Sequence, residues 1–347
     1  MRSISEDNKS TSKTLYIIGN GFDLAHEIKS SYADYKSFYS DKENCENGGT
    51  ESYIIRPKER ECVVEKGLKP ETFFGELSGD WSNIEEALGA YEVETIRQYI
   101  ECDYKVKDFR VEDDLKSSRL QYFFANTINA LRTLFKKWVD KIDINVKPNN
   151  KQYPFKKDSI LLTFNYTETL ESLYGIERFR ICYIHGKRKR DEQYVFGHNR
   201  HEIPIKIQKH LDYIGNIDIK KEVIDIMNDF VKPYDRCLKR LNHFLENEKI
   251  NEVVVYGHSL GGVDFEYFKM IVNKIGNIVP WTVDYYYEDE IDRIYNVKKD
   301  LNLTNVYVRC VNIEDGYLKV NDIESIKTYN ENNKLKQHTY EKFYKQF

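Results

Sequence analysis

Residues 15–24 read Leu15-Tyr16-Ile17-Ile18-Gly19-Asn20-Gly21-Phe22-Asp23-Leu24, an apolar run that stops at a glycine turn and continues as a helix-like segment. This pattern predicts a strand, a tight turn and the N-terminus of a helix. Glycine lets the backbone approach a ligand closely, and the first amides of a helix carry partial positive charge, so the geometry suits a phosphate. The same pattern is typical of an ordinary turn between a strand and a helix, and both interpretations stand at this point.

Predicted strands and helices alternate along the chain after this turn. Strands are predicted at 158–165, 180–184, 252–256 and 281–287, and helices at 23–40, 81–103, 112–140, 167–174 and 263–275. Strands that alternate with helices favour a parallel sheet covered on both faces. The sequence therefore predicts an α/β, three-layer, Rossmann-like domain that binds its ligand at the carboxyl ends of the strands.

The domain organisation follows from shifts in composition along the chain. We expect a polar tail at 1–13, a single nucleotide-binding α/β domain at 14–310 and a C-terminal extension at 311–347. Mixed sequence at about 41–150 and polar sequence at about 201–249 predict helical insertions in that domain.

Composition excludes several classes of protein. A hydrophobic content of 40% in 347 residues is enough for a sizeable core, and a net charge of −4 provides no general attraction for nucleic acid. The chain has neither a membrane-length apolar run nor a signal-peptide core, which predicts a cytoplasmic protein without membrane contact. Its six scattered cysteines form no C-x-x-C pair, so we expect reduced thiols and no metal site.

Two polar motifs follow predicted strand ends in the middle of the chain. In the first, Asn165 and Thr167 come directly after a hydrophobic strand, and each is a candidate cap for the next helix. In the second, His185 ends a strand beside a glycine, where a general base or a ribose contact would lie, although a lone histidine is commonly structural. The basic run at 187–190 that follows is typical of a solvated surface.

A third motif, Gly257-His258-Ser259-Leu260-Gly261, matches G-x-S-x-G, the nucleophile elbow of α/β-hydrolases. The hydrolase triad requires a histidine after the serine, and the histidine that follows Ser259 is His338, in a charged C-terminal segment. A serine hydrolase that uses Ser259 therefore stands as the alternative function.

Six segments, taken in order, resemble the AbiH family of bacterial abortive-infection, anti-phage proteins. They are residues 15–26, 81–85, 163–167, 184–186, 196–199 and 257–264. The resemblance implies antiviral defence, and we expect a phage trigger or a partner protein and an assembly of identical chains.

The chain is more distantly similar to sirtuins and to the sirtuin-like NAD hydrolases of phage defence. Those proteins show Gly-Ala-Gly, Thr-x-Asn, His-Gly, Phe-Gly-Glu and Gly-Thr-Ser-Leu in the same order. The corresponding positions here are Gly19-Asn20-Gly21, Thr163-Phe164-Asn165, His185-Gly186, Phe196-Gly197-His198 and Gly257-His258-Ser259-Leu260.

This resemblance implies a role for each position. The turn glycines would approach a pyrophosphate, Asn165 and His185 would meet the nicotinamide ribose, and Ser259 would contact the adenosine half. The implied nucleotide contacts are Gly19, Asn20, Gly21, Phe22, Thr163, Gly257, His258 and Ser259. The chain departs from the pattern at Thr167, where aspartate is common, and at Asp23, where the family has serine. It also lacks zinc-binding cysteines, which argues against protein deacylation, and the altered turn leaves open a nucleotide related to NAD.

Together these features predict an NAD glycohydrolase of anti-phage defence that takes NAD as its substrate and needs no cofactor. Asn165 would hold the ribose hydroxyls and water, His185 would accept a proton, and Asp23 would stabilise the ribosyl cation or else cap a helix. Besides the serine hydrolase, a non-catalytic sensor of ADP-ribose-like nucleotides that gates a partner remains an alternative.

Overall fold

The strand that begins at Lys13 lies at the centre of a seven-stranded sheet. The computed structural model describes residues 12–40, 132–145, 153–190, 194–198, 221, 224–225, 228, 231–286 and 288–312, together with the backbone of 53–58, 61–66 and 316–320. Its strands are β1 Lys13–Ile18, β2 Tyr53–Lys58, β3 Glu61–Lys66, β4 Ser159–Thr163, β5 Ile181–Tyr183, β6 Ile250–Tyr256, β7 Trp281–Tyr285, β8 Val306–Asn312 and β9 Gly316–Val320.

Helices follow most strands of this sheet. They are α1 Asn20–Ala25, α2 Tyr32–Ser40, α3 Thr169–Tyr174, α4 Tyr234–Phe244, α5 Phe265–Ile275 and α6 Glu288–Asp300, with further helical residues at 132–141. Two short 3₁₀ turns, Arg178–Arg180 and Gly262–Asp264, precede β5 and α5.

The strand order in the sheet is β5-β4-β1-β6-β7-β8-β9. The first six strands are parallel, and β9 pairs antiparallel with β8. This is the doubly wound order, which confirms the predicted three-layer, Rossmann-like α/β fold. The order reverses between β1 and β6, so the carboxyl ends of these two strands form the topological switch point, where ligands bind in such sheets.

The chain divides into two compact units. The first contains Met1–Ile28, Ile144–Gly186 and Tyr234–Phe347, and it holds the seven-stranded sheet. The second contains Lys29–Asp143 and Lys187–Pro233, and it holds the antiparallel hairpin of β2 and β3.

Central strands of the first unit are buried on both faces, as unbroken apolar runs predict for a parallel sheet. Side chains two residues apart in a strand share a face, and those of one face form an aromatic-rich cluster. Its members are Tyr16, Ile18, Phe22, Tyr153, Leu161, Leu170, Ile181, Tyr183, Val254 and Tyr256.

The second unit has an aromatic core of its own. The Tyr35 ring lies 5.5 Å from Phe135 and 5.2 Å from Trp138, and Phe196 stacks on Phe135 at 4.4 Å. Arg188 is buried and donates to the carbonyl of Ile142, so this member of the basic run is not the solvated residue that the sequence predicts.

Three local features differ from the sequence prediction. The helix expected at 23–40 is two helices, because Glu27 adopts a left-handed φ of 61° and a new helix starts after Ser31. Ser31 and Asp34 form reciprocal side-chain-to-backbone hydrogen bonds, the capping box that begins α2. Residues 53–66 contain a hairpin rather than helix, since β-branched residues favour strands.

Other differences concern the C-terminal part of the sheet. Strand β9 lies in the segment that the sequence predicts to be an extension.

The helix predicted at 81–103 lies outside the described residues. In the described ranges, no helix is both long and apolar enough to cross a membrane.

Candidate functional site

Two glycine turns meet at the switch point. The amide of Gly19 donates to the carbonyl of Tyr256 at 3.0 Å, and the amide of Gly21 donates to the carbonyl of Gly257 at 2.8 Å. A Cβ atom on Gly257 would lie 2.1 Å from the nitrogen of Phe22, and Gly257 has a left-handed φ of 63°. Glycine is therefore required where the turn after β1 packs against the turn after β6.

These contacts also occupy donors that the sequence assigns to a phosphate. The amide of Phe22 donates to the carbonyl of Gly19 at 3.0 Å, so three amides of the first turn already have backbone partners. The Phe22 side chain is fully buried, with its ring 4.9 Å from that of Tyr153. Nucleotide binding by Gly19, Asn20, Gly21 and Phe22 stays a prediction, while the structure gives this turn a packing role.

Asn165 supports the same turn from the end of β4. Its side-chain amide donates to the carbonyl of Gly19 at 3.0 Å, and its backbone amide donates to Oγ1 of Thr163 at 3.1 Å. Both side chains are buried. Asn165 therefore lies against the glycine turn and holds that turn in place, while its predicted role toward a nucleotide stays a prediction.

Asp23 and Thr167 contact one another rather than cap helices. Asp23 is fully buried, and its Oδ2 accepts from Oγ1 of Thr167 at 2.5 Å. Thr169 in turn donates to Thr167 at 3.0 Å. The N-cap residues of α1 and α3 are Gly19 and Glu168, and neither makes a side-chain cap hydrogen bond. The capping alternatives for Asp23 and Thr167 are therefore wrong.

Two histidines flank one buried carboxylate. The Nε2 atom of His185 lies 3.7 Å from Oδ1 of Asp264, and the Nε2 atom of His258 lies 3.5 Å from Oδ2 of the same residue. His185 follows β5, whereas His258 follows β6 and Asp264 ends the 3₁₀ turn before α5. All three side chains are buried, where electrostatic interactions are stronger than in water.

The protonation of His258 follows from its contacts. The backbone amide of Leu260 donates to Nδ1 of His258 at 2.9 Å, so this nitrogen carries the lone pair. The ring proton of neutral His258 is then on Nε2, which faces Asp264. Leu260 adopts a left-handed φ of 54°, an uncommon conformation for leucine, in the turn that makes this contact.

Aromatic rings enclose the two imidazoles. The Phe164 ring lies 4.3 Å from His258 and 5.2 Å from His185, edge-on to both, and Tyr267 lies 5.9 Å from His185. The rings limit access of water to the carboxylate between them, so the charge of Asp264 acts in an environment of low polarity.

Ser259 lies half-buried between His258 and Leu260. In a nucleophile elbow the serine itself sits on the strained turn. Here the left-handed residues are Gly257 and Leu260 on either side, and Ser259 has no positive φ. The turn therefore differs from a hydrolase elbow in the residues that carry its left-handed conformations.

Asp264 is a site residue that the sequence alone does not predict, although it belongs to the motif at 257–264. The sequence signal for Asp264 is its position six residues after the strand-end histidine His258. This signal is weak, because aspartate is also common at the starts of helices, where it caps the backbone amides. The Phe196-Gly197-His198 motif belongs to the second unit.

The described residues contain no group of three or more histidine, cysteine or carboxylate side chains arranged to hold a metal ion. Cys182 and Cys237 are buried and form no disulfide. Burial raises the pKa of Cys182 to about 12, so this side chain is a neutral thiol.

No curated protein and no solved structure matches the chain. The sequence model of the family described as bacteriophage abortive infection AbiH matches residues 15–285, which is most of the chain and includes every site residue discussed above. The chain therefore belongs to the AbiH family of bacteriophage abortive-infection proteins.

Proposed function

We propose that this abortive-infection protein hydrolyses the N-glycosidic bond of NAD, with His185 as the general base. One observation carries the proposal. His185 and Asn165 are buried polar side chains that follow neighbouring parallel strands, and Asn165 contacts the glycine turn at the switch point. Burial alone would favour apolar side chains at such positions, whereas a ligand site at the carboxyl edge of the sheet requires polar ones.

The reaction breaks the bond between C1′ of the ribose and the nicotinamide nitrogen, and nicotinamide leaves as a neutral molecule. Water then forms a bond to C1′ and loses a proton. The transition state resembles a ribosyl cation, so catalysis depends on orientation and on negative charge more than on a strong nucleophile. His185 takes the proton from the water or from a ribose hydroxyl.

Asn165 positions the ribose in this proposal. A primary amide has two N–H donors and one carbonyl acceptor, and the described contact to Gly19 uses one donor. We assign the carbonyl and the second donor to the ribose hydroxyls and the attacking water. Asp23, which accepts from Thr167, adds negative charge that favours a cationic transition state.

The remaining nucleotide contacts extend along the switch point. We assign the pyrophosphate to the turn at 19–22 and the adenosine half to Gly257, His258 and Ser259.

The serine-hydrolase alternative has less support, because both ring nitrogens of the neighbouring His258 face other groups and so cannot deprotonate Ser259.

Nicotinamide release from NAD by the purified full-length chain tests the proposal. We expect His185→Ala and Asn165→Ala each to lower kcat by about 100-fold or more while the protein stays folded. Asn165→Ala should also melt at a lower temperature, because it removes the hydrogen bond to the Gly19 carbonyl. His243→Gln is the matched control, because His243 is exposed on α4 and should leave the rate unchanged.

Two outcomes contradict the proposal. Full activity in both folded variants would remove the catalytic assignment of His185 and Asn165. Tight binding of NAD or ADP-ribose by the wild type without any nicotinamide release would instead indicate a nucleotide sensor. Because a phage trigger could be required, the assay is repeated with lysate of infected cells added.

A further inference from the structure

We infer that the amino edge of the sheet, where its parallel strands begin, is a self-association surface. In this arrangement a second copy of the chain seats its Phe179 in a groove across a two-fold axis. The groove lies where β5, β4, β1 and β6 begin, whereas the candidate site lies where the same strands end. Self-association at this edge therefore does not depend on the proposed hydrolysis of NAD.

Phe179 is the most exposed large hydrophobic side chain in the described part of the chain, with 76% of its surface accessible. It belongs to the short 3₁₀ turn that precedes β5. An aromatic side chain removes roughly 150–250 Å² from water when a partner covers it. Single exposed hydrophobic residues are common on protein surfaces, so the features around Phe179 decide its meaning.

The two arginines beside Phe179 hold its turn in place. Arg178 donates to the carbonyl of Ile181 at 2.6 Å. Arg180 donates from Nε to the carbonyl of Ser159 at 2.8 Å and from Nη2 to Oγ of the same residue at 2.7 Å. Phe179 is therefore presented on an ordered backbone, and an anchor that is already ordered loses little conformational entropy when it binds.

A groove of about 660 Å³ begins beside Phe179. It extends past the starts of β4 and β1 to the C-terminal end of α4, where Phe244 lines it. Because neighbouring strands are about 4.8 Å apart, four strand starts span about 14 Å. The groove has the size of a ligand pocket, so it has room for an aromatic side chain. A protruding side chain and a recess that can receive it therefore lie on one surface of the chain.

This pairing on one surface is what a two-fold interface requires, because both copies then use the same residues. A two-fold axis through the middle of the groove places each end of one copy on the opposite end of the other. Phe179 of each copy then packs against Phe244 of its partner.

The charges at the two ends of the groove fit the same arrangement. The Phe179 end carries two arginines and Glu177, whereas Glu246 and Glu248 lie at the other end, and Glu248 already pairs with Lys13 at 2.6 Å. The other charged or titratable lining residues are Lys157, Asp158 and His243. The cationic end of each copy therefore meets the anionic end of its partner. A uniformly anionic partner, such as nucleic acid, would be repelled by half of the groove.

Pairing of strand edges would be a different mode of self-association, and the contacts of β5 disfavour it. In the described sheet β5 is an edge strand. Its carbonyls at Ile181 and Tyr183 already accept hydrogen bonds from Arg178 and Arg240, at 2.6 and 2.8 Å. A strand from a second copy would have to displace both guanidinium groups. Contact at this edge is therefore made through side chains.

Sedimentation equilibrium of the full chain from about 1 to about 100 µM measures the association. We expect a dimer, and we expect Phe179→Asp to raise its Kd by at least about 100-fold, because the change removes the same anchor from both copies. Ile278→Asp is the matched control, since Ile278 is 70% exposed but does not line the groove. The Kd of this control should stay within about threefold of the wild type.

Glu246→Lys tests the charges. We expect it to raise the Kd by about tenfold, because it sets a lysine against the arginines of the partner. Glu266→Lys is its control, since it makes the same change of charge at an exposed position on α5 and should leave the Kd within about threefold. This pair of variants also decides the question if Phe179→Asp does not fold.

A photoreactive p-benzoylphenylalanine at position 179 locates the contact. We expect cross-links between copies that join position 179 to residues 243–248. A monomeric wild type would overturn the inference, even if Phe179 then binds a different protein. A dimer whose Kd is unchanged in folded Phe179→Asp would also overturn it, and so would cross-links that fall outside the groove.

Discussion

Asp23 accepts a hydrogen bond from Thr167 over 2.5 Å, and these are two of the positions at which the chain departs from the sirtuin-like pattern. That pattern has a serine at the first position and commonly an aspartate at the second. Here the carboxylate is at the first position and the hydroxyl is at the second. These two departures therefore occur at residues that contact each other. At position 23 a carboxylate replaces a hydroxyl, and at position 167 a hydroxyl replaces a carboxylate.

A double-mutant cycle tests whether the two positions act as a pair. We expect Asp23→Ser to cost about 1–3 kcal/mol of unfolding free energy, because it removes a buried acceptor. Thr167→Asp should cost at least as much, since it brings two carboxylates together in a buried site. The double variant restores one hydroxyl and one carboxylate, so we expect a favourable coupling of about 1–3 kcal/mol in urea unfolding. Additive effects, within about 0.5 kcal/mol, would show that the positions are independent.

The packing of the two glycine turns predicts a large effect at Gly257. We expect Gly257→Ala to destabilise the protein by about 3 kcal/mol, because the new Cβ meets the Phe22 nitrogen and the residue keeps a left-handed φ. Gly262→Ala is the control, since a Cβ there meets nothing within 4 Å, and we expect a change below about 0.5 kcal/mol. Equal melting temperatures for the two variants would mean that the turns do not approach as described.

Ser259 distinguishes the two enzyme hypotheses. If it contacts the nucleotide through one hydrogen bond, worth about 0.5–1.5 kcal/mol, Ser259→Ala should raise KM about tenfold or less and leave kcat nearly unchanged. Steady-state kinetics of nicotinamide release provide the measurement, with the exposed Ser37→Ala as control. A collapse of kcat, together with a fluorophosphonate adduct on Ser259, would instead establish a serine hydrolase.

The raised pKa of Asp284 predicts how the unfolding free energy depends on pH. Arg309 donates two hydrogen bonds to the carboxylate of Asp284, yet burial raises the pKa of Asp284 to about 6. In the unfolded chain the pKa of Asp284 has its usual value of 3.8. Between about pH 4 and 6, Asp284 is therefore protonated in the folded protein and ionised in the unfolded chain. The contribution of Asp284 to stability is therefore greatest below about pH 4 and falls as pH rises to about 6.

The comparison with Asp284→Asn isolates this effect, because the amide does not titrate. We expect the unfolding free energy of the wild type, measured relative to the variant, to fall by on the order of 2 kcal/mol from pH 4 to pH 7. A difference that rises with pH would mean that Arg309 outweighs burial and lowers the pKa of Asp284.

Much of the fold was predictable because its signals are local. The apolar runs at β1, β4 and β6 and the glycines after β1 and β6 indicate strands that end in turns, and the alternation with helices indicates a parallel sheet. The break between α1 and α2 was not predicted, because aromatic residues continue through the segment while the left-handed Glu27 has no sequence signature.

The sequence by itself determined which residues stand at strand ends, including Asn165, His185 and His258, since each follows its apolar run directly. Only the tertiary structure decided which strand ends are neighbours. Strand β1 lies between β4 and β6, and this order brings Gly21 against Gly257 and joins Asp23 to Thr167 across 144 residues of chain. It also places Asp264 between two histidines. Hydrophobic periodicity reports local conformation and burial but carries no information about distant partners, so these contacts follow from the packing of the whole sheet.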